Sequence, residues 1–266
     1  MRAEPPIDKK TLIVTQVVLR LLKAAARGRT GKTFISRYLL HRAQAAGRLL
    51  DIADGDFRNG KLHAVFPEGK GGTPRPKDVS VPGLTKWFGE RLNDAVAAQR
   101  SVFFDLGAGE TASAELARDM DLGGFLQATG YRLTNLCFAG PNQLDLQHVF
   151  SLLENEQAIP SDVVLFLNEG IATPDVDAAK FFREFSDDDP RAEQLRAAGG
   201  KIVTIPRLSN AQTLETRDLE VFPLLQSIRN EDGSYKVSPL DDFIVRKWAD
   251  DFERNIAAVG AAEYLP

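Results

Sequence analysis

Apolar residues in this chain gather into short runs rich in Val, Ile, Leu or Phe, bounded by Gly, Pro, Asp or Asn and separated by longer stretches of mixed polarity. That alternation is the pattern of buried parallel strands joined by crossover helices. It predicts strands over Val17–Leu22, Leu49–Ala53, Val102–Leu106, Arg132–Ala139, Val163–Asn168 and Lys201–Ile205. Between and after them it predicts helices over Lys32–Ala46, Thr111–Met120, Asn142–Asn155, Asp175–Phe185, Asn210–Ile228 and Asp241–Val259. In the last of these, Val245, Trp248, Phe252 and Val259 recur at helical spacing and form a stripe suited to docking on the core. The expected fold class is α/β, a mostly parallel twisted sheet with helices on both faces. We expect one domain over residues 1–266, with its core at about 11–228 and a C-terminal helix at about 239–259 packed on it.

The first strand is the hardest to read. TLIVTQVVLRLLKAAA carries Arg20 and Lys23 and has enough intrinsic propensity to be helical. Position decides for a strand, because the run leads into a glycine-containing loop followed by a helix. Asn59–Asp78, rich in Gly, Pro and Lys, reads as a loop region, and Arg229–Tyr235 as a surface connector. The sequence has no internal repeat.

Composition narrows the class. With 266 residues, 43% hydrophobic and 26% charged, the chain is long and apolar enough to bury a full core. Its one cysteine, Cys137, excludes an internal disulfide and favours a reducing compartment. His41, His63 and His148 show no metal-ligand spacing. MRAEPPIDKK has acids and prolines where a signal peptide needs an apolar core, and no uninterrupted run reaches the roughly 20 apolar residues of a membrane span, so a cytoplasmic protein is expected. A net charge of −4 argues against a dominant basic nucleic-acid surface while leaving room for a local patch.

The candidate chemistry begins at ARGRTGKTFIS, Ala26–Ser36. Against the phosphate-loop pattern G-x-x-x-x-G-K-[ST], Gly31, Lys32 and Thr33 match, and Ala26 stands in place of the first glycine. Main-chain amides over Gly28, Arg29, Thr30, Gly31, Lys32, Thr33 and Phe34 can point at phosphate oxygens, aided by the positive end of the helix dipole. Lys32 would then sit on the β and γ phosphates and the Thr33 hydroxyl on Mg2+. Read alone, GKT could simply begin a helix. Two further signals weigh against that: LLDIADGD ends a strand with Asp54 and Asp56, and SVFFDLGAG ends another with Asp105. Acids so placed can hold Mg2+ and its water shell, although either one alone could equally cap a turn.

Together these segments resemble the ParA/MinD family of P-loop ATPases, whose phosphate loop has the deviant form K-G-G-x-G-K-[ST]. On that pattern Arg27 takes the place of the signature lysine, Gly28 matches, Arg29 replaces the second glycine, and Gly31, Lys32 and Thr33 match. DGDFRNG, Asp54–Gly60, is similar to the family's D-x-D switch I. DLGAG, Asp105–Gly109, is similar to its D-x-P-A-G switch II, with Gly107 for the proline. FLN resembles the strand whose asparagine, here Asn168, contacts the base, and TIPRL, with Pro206 and Arg207, resembles the segment beside the adenine. The resemblance runs over roughly Val17–Leu225.

The resemblance implies a P-loop NTPase fold binding ATP and Mg2+, with slow, partner-stimulated hydrolysis. It also implies a cycle between monomer and a nucleotide-sandwich homodimer that positions DNA, a plasmid or a transfer complex, with an activating partner protein and non-specific DNA as partners. Lys32, Asp56 and Arg27 become the candidate catalytic residues: Lys32 on the phosphates, Asp56 on the attacking water, Arg27 reaching a partner's phosphates. Thr33, Asp54 and Asp105 would hold the metal and its shell, with the roles of Asp54 and Asp56 open to exchange. Two other functions fit the same motifs, a dethiobiotin-synthetase-like ligase and a regulatory module that binds nucleotide without turnover. A membrane-targeting tail is not expected, since the last helix carries Asp241, Asp242, Asp250, Asp251 and Glu253 against few bases. EGKGGTPRPK, Glu68–Lys77, has KGGT without a following GK[ST] and reads as a flexible, solvated basic loop whose cations could touch DNA phosphates or a partner.

Overall fold

A computed structural model of the chain describes residues 18–56, 59–106, 121–156 and 159–266. The strands β1 (Arg20–Ala26), β2 (Leu50–Asp54), β3 (Ser101–Asp105), β4 (Arg132–Ala139), β5 (Ser161–Asn168) and β6 (Lys201–Ile205) form one all-parallel sheet in the order β2-β3-β1-β4-β5-β6. Among the described residues the α-helices are α1 (Lys32–Ala45), α2 (Lys61–Val65), α3 (Val81–Ala98), α4 (Leu122–Thr129), α5 (Gln143–Asn155), α6 (Ala178–Asp188), α7 (Pro190–Ala197), α8 (Ala211–Thr216), α9 (Val221–Gln226) and α10 (Pro239–Ala258).

The two-residue period of the strands sorts side chains onto two buried faces. Leu22, Ala24 and Ala26 of β1 pack with Ile35 and Leu39 of α1 and with Val245, Trp248 and Phe252 of α10. On the opposite face Leu21 meets Trp87, Phe88 and Leu92 of α3 and Leu126 of α4, while Cys137 and Leu165 meet Leu146 of α5 and Phe182 of α6. The chain is therefore α/β with helices on both faces, as its apolar pattern implies, and the stripe on the last helix is core. The chain leaves β1 across one face through α1 and returns past it across the other, so its winding reverses around β1. Ligand sites in such sheets lie beyond the carboxyl ends of the strands at that reversal.

Several elements differ from their sequence expectation. The first strand runs Arg20–Ala26 rather than Val17–Leu22, and Val17 lies outside the described residues. Its two cations are accommodated by acids far away in sequence. The Arg20 guanidinium donates to Asp162 at 2.6 Å and to the Thr134 hydroxyl at 2.8 Å, and Lys23 pairs with the buried Glu156. Removing one partner of such a pair is costly, so the pairs tie β1 to β4, β5 and α5.

α3 falls in a stretch to which the sequence pattern assigns no element. Ser80 caps it by accepting from Gly83 N at 3.2 Å, Pro82 stands in its first turn, and Leu84, Trp87, Phe88, Leu92 and Ala95 supply the buried face. α4 and α7 likewise have no counterpart among the expected helices, and α2 lies inside the expected loop region. The helix expected over Asn210–Ile228 is two short ones, interrupted where Asp218 takes φ 52°. The helix expected over Thr111–Met120 lies outside the described residues. The Glu68–Lys77 segment is not simply a free loop: Ile52 N donates to Gly71 O at 2.8 Å and Thr73 N to Ile52 O at 2.9 Å, which extends the sheet beyond β2. No helix among the described residues is long and apolar enough to cross a membrane.

Candidate nucleotide site

Because β1 continues to Ala26 and α1 begins at Lys32, the turn at their junction is only Arg27–Gly31. Main-chain conformation explains its residue types. Gly31 has φ 83°, and a Cβ there would overlap Asn168 Nδ2, so this position has room for glycine alone. Arg29, which stands where the deviant motif has its second glycine, has φ 69°, a left-handed conformation unfavourable for a side chain of this size. A Cβ on Gly28 would meet nothing within 4 Å, so space does not demand glycine there. The Thr30 hydroxyl donates to Arg27 O at 3.2 Å and closes the turn. The amides of the first turn of α1 have no acceptor within the helix, and this turn presents them at the carboxyl edge of the sheet.

Gly31→Ala is accordingly expected to lower stability by about 2 kcal/mol, through overlap with Asn168 and a positive φ, or roughly 4–8 °C in thermal midpoint. Calorimetric melting checks it, and an unchanged midpoint would mean the loop does not hold this conformation.

Lys32 opens α1 and its Nζ forms a close ion pair with Asp105 Oδ1 at the end of β3. β3 pairs in register with β2, setting Asp105 beside Asp54, so two acids end adjacent strands in front of the loop. Both are buried, at 3% and 2% exposure. The Asp54 carboxyl is held above the usual carboxylate range, chiefly by burial and further by the neighbouring Asp105 charge. Amide donors His63 N at 2.8 Å and Asp56 N at 2.9 Å, together with the Arg75 charge, oppose the rise. Asp56 lies just beyond the strand, half-buried, and its carboxylate accepts from Asn59 N at 3.2 Å and Asn59 Nδ2 at 3.0 Å. The rest of the expected switch II, from Gly107 onward, lies outside the described residues. Thr33 is half-buried in the first turn of α1, next to Lys32.

The other expected residues fall on the β5 and β6 side of the loop. Asn168 ends β5 with its amide engaged in cis, Nδ2 donating to Thr30 O at 2.9 Å and Oδ1 accepting from Gly170 N at 2.9 Å. It therefore braces the loop, a role that its sequence motif does not reveal. Pro206 and Arg207 follow β6, where Pro206 O accepts from Trp248 Nε1 at 2.8 Å and Arg207 is exposed. The Phe34 ring stands edge-on to Trp248, with centroids 5.7 Å apart, and is engaged in packing.

Arg27 turns toward α5, its Nη1 3.1 Å from Asp145 Oδ1. Asp145 is a residue that sequence reading missed. It also accepts from Gly140 N at 3.0 Å and Asn142 Nδ2 at 2.9 Å, and the Asn142-x-x-Asp145 spacing before an apolar helix was the available signal.

For a divalent cation the available donors are the Thr33 hydroxyl and the Asp54 and Asp105 carboxylates. No group of three or more His, Cys, Asp or Glu side chains with metal-binding geometry occurs among the described residues. An all-oxygen set with at most two carboxylates fits Mg2+, which keeps several waters and draws remaining ligands from phosphate.

No family model matches the chain, and no curated protein matches it in sequence. Among solved structures, the MinD cell division protein of Aquifex aeolicus is similar at a TM-score of 0.46 and 13% identity, over 87% of this chain and 97% of that one. Function is therefore read from this chain's own residues.

Proposed function

We propose that the chain is a ParA/MinD-like ATPase that binds ATP with Mg2+ at Gly28–Phe34, hydrolyses it slowly, and cycles between monomer and nucleotide-sandwich dimer. On this reading the cycle positions DNA, a plasmid or a transfer complex. The observation that supports it is the pairing of Lys32 with Asp105 beside Asp54, which puts a phosphate-loop lysine and two strand-end acids in one place at the reversal of the sheet.

In the nucleotide-bound chain the loop amides would hold the phosphates and Lys32 would exchange Asp105 for a phosphate oxygen. Asp105, with Asp54 and Thr33, would then hold Mg2+ and its waters. Bound there, Mg2+ would supply positive charge to offset that gathering on the phosphoryl oxygens. Asp56 would hold the attacking water by accepting its hydrogen bond, while the water oxygen bonds to the γ-phosphorus, the bond from that phosphorus to the bridging oxygen breaks, and the water's protons leave with the released phosphate. Asp56 would touch the water and not the nucleotide, and its oxygens keep lone pairs for that contact beside the Asn59 donors. The carboxylate therefore acts in the transition state more than in ground-state binding.

Asp56→Ala is expected to keep ATP affinity within about threefold while lowering single-turnover hydrolysis roughly 100-fold. Radiolabelled ATP under excess protein measures both. Wild-type turnover in the variant removes Asp56 from the reaction, and the same behaviour in Asp54→Ala instead would exchange the roles of the two acids. A rate raised by a protein partner or DNA supports the positioning cycle, whereas a rate raised by a small carboxylate would assign the chain to the ligase class.

A further inference from the structure

The segment Glu68–Lys77, which has no phosphate-loop lysine of its own, is built into the candidate site by its backbone. Its parallel pairing with β2 depends on two glycines: Gly71 has φ 94°, and a Cβ on Gly72 would overlap the Phe66 carbonyl oxygen. The segment is anchored on both sides, Gln44 Nε2 donating to Lys70 O at 2.9 Å and Trp87 Nε1 to Pro74 O at 2.7 Å. Pro74 and Pro76 flank Arg75 and restrict the backbone around it.

A register that pairs Ile52 with Gly72 carries Arg75 to the level of the chain just past the end of β2. There Arg75 Nη2 donates to Asp56 O at 2.5 Å. The same oxygen accepts from Gly60 N at 2.8 Å. Gly60, at φ 53°, makes room for the guanidinium, since a Cβ there would lie 2.7 Å from Arg75 Nη1. An arginine from a separately anchored segment thus holds the main chain of the residue proposed to hold the attacking water.

We propose that Arg75 is a positioning residue for Asp56: by holding the Asp56 carbonyl, it sets the direction from which that carboxylate meets the attacking water. The proposal rests on the hydrolytic reading of the site. A lysine at 75 would keep the charge and one hydrogen bond but not the planar fork that fits between Gly60 and Asp56 O, so it should replace arginine only in part.

The test uses the full chain with ATP and Mg2+. Arg75→Ala is expected to leave ATP affinity within about threefold of wild type and to slow single-turnover hydrolysis at least tenfold, with Arg75→Lys between the two. In an Asp56→Ala background the same substitution should change the rate less than twofold, because a residue that acts through Asp56 has nothing left to position. If Arg75→Ala does not fold, Arg75→Gln, which keeps a donor, is measured instead. A wild-type rate in the Arg75 variant, or an undiminished effect in the Asp56→Ala background, overturns the proposal and leaves the hydrolytic reading standing. Wild-type chain that binds ATP without any turnover overturns both.

Discussion

Lys32→Ala is expected to weaken ATP binding roughly 100-fold, equivalent to about 3 kcal/mol, because it removes the only side-chain cation placed in the first turn of α1 to meet phosphate through charge-assisted hydrogen bonds. Fluorescence anisotropy of a labelled ATP analogue reads the change. Lys32 also pairs with the buried Asp105, so its truncation removes a partner from a carboxylate that has little access to water. Circular dichroism of the variant therefore accompanies the binding measurement. If Lys32→Ala is unfolded, Lys32→Gln, which keeps a donor for Asp105 without the charge, is expected to show the same loss of affinity with the fold intact. Unchanged affinity in a folded variant would remove the phosphate loop from nucleotide binding.

The second large effect is expected on assembly. Arg27→Ala should abolish the rise in mass that a non-hydrolysable ATP analogue produces in wild type, as read by light scattering after size exclusion, with affinity for the analogue nearly unchanged. In the free chain the guanidinium is directed in cis, onto Asp145. Released toward a partner's phosphates, it would leave Asp145 Oδ2 with the Gly140 amide and the Asn142 side chain as donors, while Oδ1 would give up the Arg27 contact. The forked guanidinium suits phosphate oxygens, as a lysine suits them with a single charge, so Arg27→Lys should restore dimerisation. Wild type that stays monomeric under saturating analogue would contradict the sandwich dimer, and a variant that dimerises normally would confine Arg27 to its contact with Asp145.

What could be read from the chain was what depends on neighbours in sequence. Strands buried on both faces appear as short, mainly apolar runs, and Arg132–Ala139 and Lys201–Ile205 begin and end where the pattern places them. The tight turn between β1 and α1 and the two strand-end acids were legible for the same reason, since each is a local motif. β1 was misplaced because its cations are balanced by Asp162 and Glu156, contributed by elements more than 130 positions away. α3 was legible in principle from Ser80, Pro82 and the spacing of Leu84, Trp87, Phe88 and Leu92, but it follows a Gly- and Pro-rich stretch that reads as loop throughout. Asp145 and Arg75 acquire their places through pairings across the fold: α5 beside the loop, and an edge extension beside β2. Nor does a sequence motif show that Asn168 is latched onto Thr30, since the contact exists only once β5 lies next to the turn.

Isothermal titration of the wild-type chain with ATP, with Mg2+ and again with EDTA, tests the central claim most directly. The proposed site holds the phosphates through the Gly28–Phe34 main chain and Lys32, and the cation through Thr33, Asp54 and Asp105. One ATP should bind per chain, more tightly with Mg2+ than without it. No heat of binding at millimolar ATP, with or without Mg2+ and in a chain shown to be folded, would contradict that claim.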